Sequence, residues 1–199
     1  MLCSACHGLL VRLRAPLCSR CGAQTAWPVE RCRECAGRRV AFTTARAAVT
    51  YLGPARALVR AWKEHGLRRA VDQAADLVAD VIACPSADVI TYIPPDGDRS
   101  RKRGYHPAEQ LAAELAARWG LATEPLLGRA RPVARQTGLS LAERRQNVRG
   151  AFTALRPPAR VVLVDDVYTT GATVGAAATA LRAAGARSVH AVTFARAVR

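Results

Sequence analysis

Two adjacent acids after an apolar run are the residues of this chain best suited to bind a ligand or to take part in a reaction. Residues 161–164 are all apolar, and Asp165 and Asp166 follow them directly. In open α/β sheets, ligands bind outside the carboxyl ends of the strands, so both carboxylates are expected to face a ligand there. They suit the vicinal hydroxyls of a ribose as hydrogen-bond acceptors. A generic acidic Mg²⁺ site is the alternative interpretation.

The turn that follows the acids predicts a phosphate site. It is rich in hydroxyl-bearing and small residues: Thr169, Thr170, Gly171, Ala172 and Thr173. It also opens a predicted helix, whose first backbone N–H groups suit a phosphate. Gly171 allows the backbone to approach the ligand closely. Acids and turn together predict a site for a ribose 5-phosphate, and a generic Mg²⁺ site does not require such a turn.

A charged loop after another predicted strand is a candidate for anion contact. The strand covers residues 88–93. The cations of the loop are Arg99, Arg101, Lys102 and Arg103. A solvated charged loop is the alternative. Further along, Ser140 and Glu143 have the spacing of a capping box, which predicts a short helix that begins at Ser140.

Six of the seven cysteines form three Cys-x-x-Cys pairs near the N-terminus. The pairs are Cys3 with Cys6, Cys18 with Cys21, and Cys32 with Cys35. Two such pairs complete a tetrahedral Zn²⁺ site. Six thiolates exceed the four ligands of one zinc ion, so the choice of pairs is open. A thiol–disulfide couple is the alternative for one pair, and Cys84 is expected in the core at a helix end.

Strands and helices must alternate to position these groups, which predicts an α/β fold with a mainly parallel, doubly wound sheet. Predicted strands cover 47–52, 88–93, 122–128, 161–164 and 188–195; predicted helices cover 55–64, 67–83, 107–119 and 172–184. The cysteine-rich composition ends near residue 40. We therefore expect a cysteine module at 1–40, which is too small to fold without a metal, and an α/β domain at 45–199.

The charge balance favours phosphate-bearing partners. The 199 residues carry a formal net charge of +15, which suits nucleic acid or small polyphosphates. A bias toward arginine in the coding sequence is the alternative. Arginines of the cysteine module, with Trp27 as a stacking surface, suggest contact with nucleic acid. No apolar run is long enough for a membrane span, and no signal-peptide pattern is present, so a cytoplasmic protein is expected.

The stretch 161–173 resembles the signature of type I phosphoribosyltransferases, which bind phosphoribosyl pyrophosphate (PRPP). The resemblance implies that Asp165 and Asp166 hold the ribose 2- and 3-hydroxyls and that residues 169–173 form the phosphate loop. It places the pyrophosphate-contacting loop on the cations at 99–103, with Mg²⁺ bridging the diphosphate oxygens. The expected fold is therefore a type I phosphoribosyltransferase fold with an N-terminal zinc-ribbon-like module.

Over essentially its whole length the chain resembles the ComF family. The resemblance is carried by the paired cysteines, the segment 49–63, the step Gly104-Tyr105, the pattern within 136–152 and the motif at 161–173. It implies a role in natural competence, with single-stranded DNA and competence machinery proteins as partners. It favours Cys3, Cys6, Cys18 and Cys21 as the zinc ligands. The usual Phe-Asn-Gln is replaced here by Tyr105-His106-Pro107. An active phosphoribosyltransferase of nucleotide metabolism, which transfers ribose 5-phosphate to a base or amine, is the alternative function.

Overall fold

A parallel sheet with helices on both faces organises the chain, as the sequence predicts. The computed structural model describes residues 2–95, 105–131, 143 and 147–198. Its strands are β1 (Thr44–Thr50), β2 (Val89–Tyr92), β3 (Ala122–Thr123), β4 (Leu127–Arg129), β5 (Phe152–Ala154), β6 (Arg160–Tyr168) and β7 (Ser188–Arg196). Five of them form one sheet in the order β1-β7-β6-β2-β3, with every neighbouring pair parallel. The carboxyl ends of these strands therefore share one edge.

The helices begin and end at residues that the sequence marks. They are α1 (Ser4–Gly8), α2 (Gly53–His65), α3 (Arg68–Val81), α4 (Pro107–Trp119) and α5 (Ala172–Ala183). Gly66 ends α2 in the left-handed conformation, with a φ of 65°, which separates α2 from α3. Pro107 starts α4, where it needs no hydrogen-bonded N–H. In the described ranges, no helix combines the length and apolar character needed to cross a membrane.

Two apolar clusters cover the two faces of the sheet. On one face, Trp62 of α2 and Leu111 of α4 are fully buried with Phe194 of β7. On the other face, Leu181 of α5 packs with a cluster that includes Cys18, Cys21 and Cys35. Each large aliphatic side chain buried in this way contributes about 1.5–3 kcal/mol. The segment from residue 18 to residue 41, called the cysteine segment below, thus forms part of the core on the α5 face.

Two of the differences between the predicted strands and the structure bear on the site. The strand predicted at 122–128 is divided at Pro125: β3 extends the main sheet, and β4 pairs with β5 in a separate antiparallel pair. Proline has no N–H for a ladder, which explains the division. Strand β6 runs past residue 164, because its backbone continues to pair with β7 as far as Tyr168 opposite Arg196. The two acids therefore lie within the strand.

Two exposed side chains bear on the sequence predictions. Cys84, predicted in the core, is exposed because α3 ends at Val81 and Cys84 lies in the loop beyond it. Trp27 is 68% exposed and so is not part of the core. An exposed indole keeps the stacking surface that the sequence analysis considered for it.

Candidate functional site

The acids and the turn form one continuous segment at the carboxyl edge of β6. Gly171 has a φ of 70°, a conformation that favours glycine, and α5 begins at the next residue. The Thr170 hydroxyl accepts the Ala172 N–H at 3.0 Å and so fixes the turn. Asp165 accepts the N–H of Asp166 at 2.9 Å. This geometry brings two carboxylates and the N-terminal end of a helix to one edge of the sheet.

Lys63, from the last turn of α2, forms an ion pair with Asp166. The Asp166 side chain is 10% exposed and the Lys63 side chain 41% exposed, so the pair lies at the mouth of the site. Tyr105 holds this end of α2, because its hydroxyl donates to the Lys63 carbonyl at 3.0 Å and its ring packs against Gly66. Lys63 is a site residue that the sequence motifs did not indicate. The one signal in the sequence is the rarity of lysine, because Lys63 and Lys102 are the two lysines among 30 lysine and arginine residues.

The ion pair separates the pKa values of the two acids. Burial, and then the charge of Asp166, raises the pKa of Asp165 to about 8. Burial acts to raise the pKa of Asp166 as well, but the charge and hydrogen bond of Lys63 outweigh it and lower that pKa. Desolvation acts to lower the pKa of Lys63, but the charge and hydrogen bond of Asp166 outweigh it, so the pKa of Lys63 is raised. Near neutral pH the acidic pair therefore shares one proton beside a charged lysine.

The replacement at residues 105–107 has a structural role. His106 is the N-cap of α4, and its Nδ1 accepts the Glu109 N–H at 3.2 Å. Its pKa is lowered, mainly by burial, which favours the neutral ring that this cap requires. The carbonyl of Pro107 accepts the indole N–H of Trp62 at 3.2 Å. Tyr105, His106 and Pro107 thus connect α4 to α2.

A cavity lined by arginines lies between the cysteine segment and α5. Its volume is about 640 Å³. It is lined by Arg38, Arg39, Val40, Ala41, Val148, Arg149, Gly171, Ala172, Gly175, Ala176 and Thr179. Arg131 holds one wall by donating to the Arg149 carbonyl at 2.8 Å. Among the described residues that line it, three are arginines and none is acidic, so the cavity suits an anion.

The predicted pyrophosphate loop lies outside the described residues. Arg99, Arg101, Lys102 and Arg103 all belong to the segment 96–104, and Ser140 belongs to 132–142. The segment 96–104 follows β2, which lies next to β6 in the sheet. The assignments of these residues stay predictions.

The structure groups the second and third cysteine pairs. The sulfurs of Cys18, Cys21, Cys32 and Cys35 all lie within 4.8 Å of one another. The Sγ–Sγ distances are 3.5 Å for Cys18–Cys35, 3.4 Å for Cys21–Cys32 and 3.9 Å for Cys32–Cys35. Four sulfurs placed tetrahedrally at about 2.3 Å from a zinc ion lie about 3.8 Å apart, so this cluster fits the ion.

This grouping differs from the preference for Cys3, Cys6, Cys18 and Cys21. Cys3 lies at the N-cap of α1 and is exposed, whereas Cys18, Cys21 and Cys35 are buried against the sheet. The spacing between successive pairs is nearly equal, and the packing of the segment against the sheet decides which pairs meet. No cluster of metal ligands that includes Cys3 or Cys6 is found among the described residues.

Backbone and arginine donors surround the cysteine cluster. Cys18 Sγ accepts the Cys32 N–H at 3.3 Å, and Cys21 Sγ accepts a guanidinium N–H of Arg196 at 3.8 Å. Burial raises the pKa of Cys35 to about 11. Burial acts on Cys18 too, but backbone N–H groups led by that of Cys21 bring its pKa down to about 6. Such donors stabilise thiolates, the form that binds zinc.

Comparisons with known proteins agree with this architecture. A family profile described as "Phosphoribosyl transferase domain" matches residues 101–198. The chain is 26% identical to "Competence protein F" of Haemophilus influenzae, over 98% of this chain and 90% of that protein. It is 30% identical to "DNA utilization protein YhgH" of Salmonella typhi, over 95% of this chain and 87% of that protein.

Part of the chain is similar to a solved structure. It is a glutamine PRPP amidotransferase from B. subtilis, complexed with ADP and GMP, to which the chain is 31% identical with a TM-score of 0.45. The match covers 63% of this chain and 26% of that one. The chain therefore matches about a quarter of the length of that enzyme.

Proposed function

Because the chain belongs to the ComF family of phosphoribosyltransferase-domain proteins, we propose that it binds PRPP with Mg²⁺ at the carboxyl edge of β6. One observation carries the proposal: Asp165 and Asp166 lead directly into a turn with a left-handed glycine at the start of α5. The ribose hydroxyls of PRPP donate to the carboxylates. The 5-phosphate accepts from N–H groups at the helix start.

Lys63 makes the acidic pair compatible with a ligand that carries several negative charges. Two adjacent carboxylates repel phosphate groups, and the repulsion is strong in a site with little water. The ammonium group of Lys63 offsets this charge through its ion pair with Asp166. Mg²⁺ prefers carboxylate and phosphate oxygens, so Asp165 and Asp166 are donors of the right class, and the bound ion would neutralise diphosphate charge.

The proposal predicts that PRPP with Mg²⁺ stabilises the protein against heat. A ligand at 100 times its Kd adds about 2.7 kcal/mol to the free energy of unfolding. For a chain of this size the Tm is then expected to rise by about 5–11 °C. Differential scanning fluorimetry with PRPP and Mg²⁺ measures this rise, and ribose without phosphates serves as the control ligand. An unchanged Tm at millimolar PRPP would reject the proposed site.

An active phosphoribosyltransferase is the alternative within the same site. Transfer to a base or amine would form a bond between the acceptor nitrogen and C1 of the ribose and would release diphosphate. A panel of bases and amines, tested for diphosphate release, distinguishes the two functions. A binding protein raises its Tm with PRPP but releases no diphosphate with any acceptor, whereas a transferase does both.

We also propose that the chain binds single-stranded DNA; one of its relatives is named for competence and another for DNA utilization. The cavity lined by Arg38, Arg39 and Arg149 supports this proposal, together with the net charge of +15. Guanidinium groups bind phosphates of the backbone, and each neutralised phosphate releases counterions. The affinity is therefore expected to fall steeply as salt rises.

Fluorescence anisotropy with a labelled oligothymidine tests the DNA proposal. Arg39→Ala and Arg149→Ala are each expected to weaken binding and to lower the slope of log K against log salt by about 1. Arg187→Ala is the matched control, because Arg187 is exposed and lies just before the amino end of β7, at the opposite edge of the sheet. Binding that does not depend on salt, or equal losses in all three variants, would contradict a role for the cavity.

A further inference from the structure

Arg196 connects the cysteine cluster to the sheet. It is the last residue of β7 and is only 4% exposed. One guanidinium nitrogen donates to the Cys21 carbonyl at 2.8 Å, and the other donates to the Glu34 carboxylate at 2.6 Å. The second nitrogen also lies 3.8 Å from Cys21 Sγ. A single buried cation thus contacts both halves of the four-cysteine segment.

The same guanidinium supports the turn after β6. It lies over the ring of Tyr168, 4.4 Å from the ring centroid. The Tyr168 ring in turn packs directly against Gly171, where an added Cβ would lie 2.6 Å from Cζ of the tyrosine. Phe42 contacts the ring edge-on, with the centroids 6.4 Å apart. A shift of the Tyr168 ring toward the turn would therefore displace Gly171, because this contact leaves no free space.

A second arginine makes a parallel connection. Arg38 follows the last cysteine of the cluster by three residues. One of its nitrogens donates to the Glu34 carbonyl at 2.9 Å, and the other donates to the Thr170 carbonyl at 3.4 Å. Glu34 itself lies between Cys32 and Cys35 and accepts from Arg196. The segment that carries the third cysteine pair therefore contacts the turn through two independent side chains.

We propose that Arg196, through Tyr168, is a positioning residue that couples metal binding at the four-cysteine cluster to phosphate binding at the turn 169–173. Zinc held by the four thiolates fixes Cys21 and the segment around Glu34, which are the groups that hold Arg196. Arg196 then keeps Tyr168 against Gly171 and holds the turn in the conformation that binds the 5-phosphate. This inference rests on the proposed binding of PRPP.

Coupling between two sites is reciprocal, which provides the test. If zinc tightens PRPP binding by a given factor, PRPP must tighten zinc binding by the same factor. Calorimetry gives the Kd of PRPP for zinc-loaded protein and for protein stripped with a chelator. Competition with a chromophoric chelator gives the Kd of zinc with and without PRPP. We expect both factors to be equal and about fivefold or more.

Variants separate positioning from general stability. Arg196→Lys keeps the positive charge but cannot donate to the Cys21 carbonyl and the Glu34 carboxylate from two separate nitrogens. We expect its coupling factor to fall toward 1 while zinc still binds. Arg38→Ala removes the partly exposed connection without opening the core and should reduce the factor partially. Tyr168→Phe keeps the ring against Gly171 and should retain the coupling factor. The chelator competition is carried out on zinc-loaded protein, so it remains informative if the stripped protein unfolds.

The outcomes distinguish a failure of the proposed coupling from a failure of the proposed PRPP binding. The coupling would be overturned if PRPP bound zinc-loaded and stripped protein with the same Kd and did not change the Kd of zinc. The proposed PRPP site would not be affected by that result. Zinc-loaded protein that binds no PRPP would overturn both. A coupling factor that is unchanged in Arg196→Lys and in Arg38→Ala would show that neither side chain carries it.

Discussion

Replacing both acids, in the variant Asp165→Asn with Asp166→Asn, is expected to weaken PRPP binding by about 100-fold or more. Hydrogen bonds to charged groups contribute about 1.5–3 kcal/mol each. The bond to the charged Asp166 and an ordinary bond of about 0.5–1.5 kcal/mol to the protonated Asp165 together contribute about 3 kcal/mol, which corresponds to roughly two powers of ten in Kd. Calorimetric titration with PRPP and Mg²⁺ measures the loss. Asp80→Asn is the matched control, because Asp80 is an exposed acid of α3, and it should bind as the wild type does.

For Asp165, the single variant Asp165→Asn separates a loss of PRPP binding from a loss of folding. The pKa of Asp165 is about 8 in the folded protein, against an ordinary value of 3.8. Between about pH 4 and pH 8 the folded protein therefore holds a proton that the unfolded chain releases, and stability falls as the pH rises through this window. Asparagine removes this dependence. We expect Asp165→Asn to be at least as stable as the wild type at pH 8. A double variant that binds PRPP within threefold of the wild type would contradict the role of the acids.

Cys32→Ser is expected to abolish stoichiometric zinc binding and to lower the Tm markedly. A metal at 1,000 times its Kd stabilises the folded state by about 4 kcal/mol. Loss of that contribution corresponds to about 8–16 °C in Tm for a chain of this length. Metal analysis by mass spectrometry and a melting curve measure the two effects. The effect extends to the α5 face of the sheet, because Cys18, Cys21 and Cys35 pack into the same apolar cluster as Leu181.

Two other cysteines provide matched controls for this prediction. Cys84→Ser replaces an exposed thiol outside the cluster and should keep both the zinc and the Tm. Cys3→Ser should also keep the zinc, since the structure groups Cys32 and Cys35, and not the first pair, with Cys18 and Cys21. Zinc loss in Cys3→Ser, together with zinc retention in Cys32→Ser, would contradict the four-cysteine site and restore the first two pairs.

Local signals explain why much of the fold was predictable. Pro107 and Gly66 mark helix boundaries by their backbone restrictions, and α4 has the predicted bounds. The apolar run before Asp165 predicted a strand covered on both faces, and its residues are fully buried. The acids and the turn lie together because they are adjacent in the chain. For elements whose boundaries are set by neighbouring residues, the sequence alone was sufficient to predict the fold.

Contacts between distant residues could not be predicted in this way. Lys63 reaches Asp166 across 103 positions, and Arg196 reaches Cys21 across 175. Neither contact leaves a periodic pattern or a short motif, because each depends on how α2 and the cysteine segment pack on the sheet. The sequence leaves the choice among cysteine pairs open for a similar reason: the intervals between pairs are 11 and 10 residues, so spacing does not distinguish them.

The most direct measurement is a calorimetric titration of PRPP and Mg²⁺ into the zinc-loaded wild-type chain. We predict saturable binding of one PRPP per chain, with competition by ribose 5-phosphate, because the acids and the turn at the end of β6 would hold the sugar and its phosphate. A titration with no heat of binding at any temperature tested, and no protection of the β6–α5 turn in hydrogen exchange, would contradict the account.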